Sequence, residues 1–134
     1  MADIAAIREG LANNLLTISG LRAYSELRDE VSYPAAMVNL DSVEYDGAMR
    51  GGLTTYTFSI TLIVGRAAER SMARKLDAYL QPTGEQSVKA GVESDRTLAG
   101  ECYDLRVESA QSVGSIQMND QTYLAAEFTV TVYA

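Results

Sequence analysis

The sequence predicts an α+β fold: a mostly antiparallel, twisted sheet with helices packed on one face. Three observations carry this. Residues 55–62 alternate with period two, placing Tyr56, Phe58, Ile60 and Leu62 on one side and Thr55, Thr57, Ser59 and Thr61 on the other. Near the C-terminus, Leu124, Ala126, Phe128, Val130 and Val132 alternate with Tyr123, Glu127, Thr129, Thr131 and Tyr133 in the same way. Between and before these strands, apolar residues recur at steps of three and four, the spacing of an amphipathic helix. Alternation of this kind describes a sheet with one packed and one polar face, and the packed face needs a helical layer over it.

The elements follow in order. Asp3 is placed to cap a first helix whose stripe is Ile4, Ile7, Leu11, Leu15 and Ile18, ended by Ser19-Gly20. A short strand over 21–27 and a charged turn at Arg28-Asp29-Glu30 come next. After Pro34 a second strand sets Ala36, Val38 and Leu40 on one face. Its phase slips near Asp41-Ser42, where Val43 and Tyr45 take over, and such a slip marks a bulge or an exit from the sheet. A glycine-rich loop at about 46–52 leads to the third strand, which Gly65 is expected to break. A second helix over about 67–80 carries the stripe Ala68, Met72, Leu76, Tyr79 and Leu80, and Pro82 stops it. The run Thr83-Gly84-Glu85-Gln86 resembles a capping box before a short helix that turns Val88 and Val92 inward. Tyr103, Leu105 and Val107 start a closing hairpin that turns at Asn119-Asp120. The 134 residues make one domain, with the loop at 46–52 projecting from it.

Composition narrows the function. The chain holds 11 basic and 18 acidic residues, a net charge of −7, so it is poorly suited to neutralising phosphates and specific nucleic-acid binding is not expected. No apolar run is long enough to cross a bilayer as a helix, and Met1-Ala-Asp-Ile lacks the basic and apolar segments of a secretory signal. A single cysteine, Cys102, cannot form an internal disulfide, which suits a reducing compartment. We therefore expect a protein made in cytoplasm, with no membrane partner.

The chain has no histidine, the commonest general base and metal ligand, and with it go Ser-His and Cys-His dyads. Cys102 lies between Glu101 and Tyr103, and nearby carboxylates raise a thiol's pKa, so a bystander role is expected. The acidic pairs Asp29 with Glu30, Asp41 with Glu44 and Glu93 with Asp95 lack the spacing of a calcium loop and read as surface charge. Gly47, Gly51 and Gly52 are not followed by the Gly-Lys-Ser/Thr and helix of a phosphate loop. No catalytic residue, cofactor or metal site is expected.

Two features point to protein contacts. The loop Asp46, Gly47, Met49, Arg50, Gly51 and Gly52 is either a plain hairpin connection or a contact loop, and Met and Arg at its tip favour interfaces. Arg66, Arg70 and Arg74 repeat every four residues, giving either a solvated face paired with Glu69 and Asp77 or a docking stripe for an acidic neighbouring copy. Tyr45, Tyr123 and Tyr133 sit at strand ends or on the polar face, where tyrosine serves as a contact residue.

The segments "LLTISGLRAYSEL", "YPAAMVNLDSVEYD", "TYTFSITLIVGRAAERSMARKLDAYLQP", "SVKAGVESDRTLAG", "YDLRVESA" and "YLAAEFTVTVYA" follow one another in this order. In order and texture they resemble the tail terminator (tail completion) proteins of long-tailed bacteriophages, especially those of actinobacteria. The resemblance implies a structural virion protein: a hexameric ring that caps the tail tube, ends its polymerisation and joins the tail to the head connector or neck. It implies self-association, tail tube protein and neck or head-completion protein as partners, DNA passing through the ring without specific binding, and a place at the tail–neck junction after assembly in the host cytoplasm. It carries no catalytic residues. Other readings stay open: another neck or head-completion protein, a tube subunit, or a small ligand-binding domain or enzyme on an α+β scaffold.

Overall fold

The computed structural model describes residues 3–25, 33–45, 54–66, 71–118 and 120–134. The elements are α1 (Ile4–Leu15), β1 (Arg22–Tyr24), β2 (Ala35–Glu44), β3 (Thr55–Arg66), α2 (Ser71–Leu80), α3 (Val88–Val92), β4 (Asp104–Met118) and β5 (Gln121–Tyr133). One five-stranded sheet has the order β1-β2-β3-β5-β4. Its pairings are antiparallel except at one edge, where β1 runs parallel to β2 from Arg22 opposite Ala35 to Tyr24 opposite Met37. The protein is thus α+β, with a mostly antiparallel sheet.

The central strand β3 buries Tyr56, Phe58, Ile60, Leu62 and Val64 on the face that all three helices cover. α1 packs over β1 and β2, α2 over β3 and β5, and α3 joins both helices and reaches β4. The core beneath them takes Ile7, Leu11 and Leu15 from α1, Met72, Leu76 and Tyr79 from α2, and Val88 and Val92 from α3. Burying each large apolar side chain contributes about 1.5–3 kcal/mol relative to leaving it in water, so this face sets the fold.

Bulges steer the side chains. The register steps from Leu40 opposite Phe58 to Ser42 opposite Thr57, so the phase slip at Asp41 is a bulge. The extra residue is used: the Asp41 carboxylate accepts from Ser59 Oγ at 3.0 Å and from Asn39 Nδ2 at 3.3 Å, satisfying a buried serine. Gly65, in contrast to expectation, does not break β3. A second bulge, between Ile63 and Gly65, carries the strand on to Arg66 and turns Gly65 towards α2. A Cβ there would lie 2.5 Å from Met72 Sδ, so glycine permits the close approach of the helix.

The helix ends differ from the expected ones in two places. Asp3 caps α1 by accepting from the Ala5 N–H at 3.1 Å, but the helix stops at Leu15, and Ile18 enters the core from the turn that follows. α3 is capped by Ser87 and not by Thr83. Gly84, at φ +113°, turns the chain before the helix begins. Ser87 Oγ then accepts from the Ala90 N–H at 3.1 Å and donates to the Gln81 carbonyl at 2.5 Å, while Gln86 donates to the Ser19 carbonyl at 3.4 Å. Tyr103 also departs from the expected alternation: it precedes the start of β4 and is 73% exposed.

The second sheet face is only partly polar. Asn39, Thr57, Thr61, Glu127, Thr129 and Thr131 are half-buried on it. At the end where β2 begins and β3 finishes, however, Met37, Ile63 and Ala125 form a second buried cluster under Tyr24, Tyr33, Ile116 and Tyr123. The rings of Tyr33 and Tyr123 meet with centroids 4.9 Å apart and a 47° tilt. Burial and the neighbouring Tyr123 both raise the pKa of Tyr33.

One side chain ties α1 to the long loop before β4. Buried Asn14 donates through Nδ2 to the carbonyls of Val92, at 2.8 Å, and Asp95, at 3.0 Å. Replacing it leaves two carbonyls without their donor, and an unmade bond of this kind costs about 1–3 kcal/mol. Asn14→Ala should lower unfolding stability by that amount in urea titrations, well above the cost of Asn13→Ala on the exposed side of the same helix.

Candidate interaction surfaces

The predicted contact loop, Asp46, Gly47, Met49, Arg50, Gly51 and Gly52, lies outside the described residues, as do Arg70, Glu69 and the pair Asp29 and Glu30. Of the basic stripe, Arg66 ends β3 and Arg74 stands on α2, both exposed. No ion pair joins Arg74 to Asp77 among the described residues, where the pairs are Lys89–Glu93 at 2.6 Å, Arg96–Asp104 at 2.8 Å and Arg106–Glu108 at 3.1 Å.

The structure brings Arg66 together with Lys75 instead. Both line a cleft of about 320 Å³ with Tyr33, Pro34, Val64, Gly65, Met72 and Tyr123. The helical period explains the choice. Lys75 lies three residues after Met72 and flanks the buried stripe, facing the end of β3, whereas Arg74 falls between Met72 and Leu76 on the outer side. The second bulge and the tyrosine pair meet in this cleft. Lys75 was not singled out from the sequence, although its distance of three from Met72 was the available signal.

A second cleft, of about 240 Å³, has the opposite charge. It lies between α1 and the loop before β4, and Glu9, Gly10, Asn13, Asp95, Leu98 and Glu101 are among its walls. The loop is held firmly. Leu98, Ala99 and Gly100 take successive left-handed conformations, φ +51°, +58° and +93°. They are stabilised by the Asp95 carboxylate, which accepts from Thr97 N at 3.2 Å, Ala99 N at 3.0 Å and Thr97 Oγ1 at 3.0 Å. These bonds also hold the Asp95 carboxyl below its usual range, so it stays anionic. The side chain of Leu98 packs against Gly10, where a Cβ would lie 3.0 Å from its own.

Of the other acidic residues singled out in the sequence, Asp41 and Glu93 have structural partners. Burial pushes the Glu93 carboxyl up, but the hydrogen bonds from Lys89 and the Val107 N–H, with the charges of Lys89 and Arg96, outweigh it and hold the group below its usual range. Asp104 is lowered chiefly by its hydrogen bond from Arg96. Among the described residues there is no group of three or more His, Cys, Asp or Glu side chains placed to hold a metal ion. No described helix is long and apolar enough to cross a membrane.

Cys102 is buried, and its Sγ donates to the Arg96 carbonyl at 3.4 Å. Burial first, then Asp104 and Asp95, push its pKa up to about 11. With the geometry in view, comparison with known proteins adds no assignment: no protein-family model matches the chain, and no curated protein is significantly similar to it.

Two outcomes follow from these carboxyl and thiol environments. A thiol with a pKa of about 11 is roughly a hundredfold less ionised near pH 8 than an ordinary one, so iodoacetamide should label the native protein about a hundredfold more slowly than the unfolded chain. Glu93 has a folded pKa below the ordinary 4.5, so its stabilising effect is complete above that value and is lost as pH falls through the folded one. Glu93→Gln should therefore reduce stability at neutral pH and flatten the loss of stability between ~pH 5 and ~pH 2, measured by circular dichroism in urea.

Proposed function

We propose that this chain is a structural virion protein: a ring, hexameric by its resemblance to tail terminators, that caps the tail tube of a long-tailed phage and joins it to the neck. The observation that supports this reading is the distribution of unpaired charge. On a chain of net charge −7, Arg66 and Lys75 line one cleft without an ion-pair partner among the described residues, and Glu9 and Glu101 line another in the same condition. Groups left free in this way suit contacts with other protein surfaces more than chemistry on a small molecule. The overall acidity also suits a channel for DNA, since like charge lets the phosphate backbone slide past.

The test is a mixing experiment with polymerising tail-tube subunits. A terminator binds as one ring at the tube end and halts growth, so added chain should shorten the tubes and appear by electron microscopy at their tips only. A tube subunit would instead be incorporated along the whole length, and a neck protein would bind finished ends without arresting growth. Tubes of unchanged length with no bound chain would remove the proposal.

A further inference from the structure

The two charged clefts lie at opposite ends of the sheet. Arg66 pairs with Tyr123 near one end of β5, while Tyr103, two residues after Glu101, donates from its N–H to the Tyr133 carbonyl at the other end, at 2.8 Å. Those ends are roughly 30 Å apart at the ordinary rise of a strand. A surface that must meet a different surface on the next copy gives a head-to-tail contact, which closes into a ring when the rotation allows.

We infer that copies of this chain associate head to tail, with Arg66 and Lys75 of one copy inserting into the Glu9–Asp95–Glu101 cleft of the next. The inference rests on the ring-forming part of the proposed function and names the surfaces that form it. Charge selects the occupant. Two copies at −7 repel each other over most orientations, and the acidic cleft can approach only where cations are free of internal partners. Arg66 and Lys75 are exposed and sit on long side chains, so they can reach into a recess. The recess is ready for them: Asp95 is fixed by three hydrogen bonds, and the left-handed turn at 98–100 holds the wall that carries Glu101. Little ordering is needed on binding. Strand pairing is the poorer route between copies, because the outer edge of β4 is interrupted by bulges at 107–109 and 111–114.

The experiment compares the full chain with two neutralised variants by native mass spectrometry and sedimentation velocity, at low and high salt. Wild type should form species larger than a dimer that dissociate as salt rises. Arg66→Gln with Lys75→Gln should weaken association roughly tenfold or more, and so should Glu9→Gln with Glu101→Gln. Each variant keeps one intact surface, so an equal mixture should give a one-to-one dimer that grows no further. Exchanging the charges in one chain, with Arg66→Glu, Lys75→Glu, Glu9→Lys and Glu101→Lys, should restore assembly and guards against misfolding of either variant. A wild type that stays monomeric overturns the inference, as do variants that assemble like wild type or a mixture that stays monomeric. Assembly that persists in the variants removes this contact and leaves the tube-capping proposal standing. Head-to-tail oligomers that ignore tail tubes would remove that proposal and leave the contact.

Discussion

A strand that sets Tyr56, Phe58, Ile60, Leu62 and Val64 along one side has to be covered on that side. At about 1.5–3 kcal/mol for each buried side chain, no arrangement that leaves this face in water competes with one that covers it. β3 is central, so the covering layer spreads to both flanks: α1 serves the β1–β2 half and α2 the β3–β5 half. α3 is too short to be stable alone and exists by wedging Val88 and Val92 between them, with Gly91 allowing Ile18 to approach. The opposite face carries no such demand, and it is closed only at the end where three tyrosines and Ile116 cover Met37, Ile63 and Ala125.

The bulges convert this plain scaffold into one with directed surfaces. At Asp41 the extra residue supplies a carboxylate to a buried serine. At 63–65 it changes the side on which the chain emerges, so that Gly65 meets Met72 and Arg66 reaches the surface beside Lys75. The basic cleft is thus a product of backbone register and helix phase together. The acidic cleft has another origin, a loop pinned by Asn14 on one side and Asp95 on the other.

What could be read from the sequence was whatever is encoded in local periodicity. β3, β5, the stripe of α1, the cap at Asp3 and the slip at Asp41 all show in windows of a few residues. The parallel partner of β1 does not, because a three-residue strand carries no mark of the direction of its neighbour. Gly65 misled because glycine is equally at home in a strand break and under a close-packed helix, and only Met72 decides between them. Thr83 offered a capping-box pattern that Ser87 lacks, yet Gly84 turns the chain before the helix and Ser87 is the residue that meets it. For the interaction surface, the four-residue spacing of the arginines suggested a helical stripe, but Arg66 ends β3, and its grouping with Lys75 depends on where that strand ends. The Glu9–Asp95–Glu101 grouping spans most of the chain and has no local signature at all.

The outer border of β4 carries no charged residue from Ser109 to Met118, and Val113 stands half exposed within it. Uncharged borders of this length invite further strands to add on, in the manner of fibrils. Here the invitation is withdrawn by geometry, since Ser112 at φ +53° and Gly114 at φ +148° kink the backbone out of line with any incoming chain. Protection of this border against added strands is therefore written in torsion angles, and charge within it plays no part.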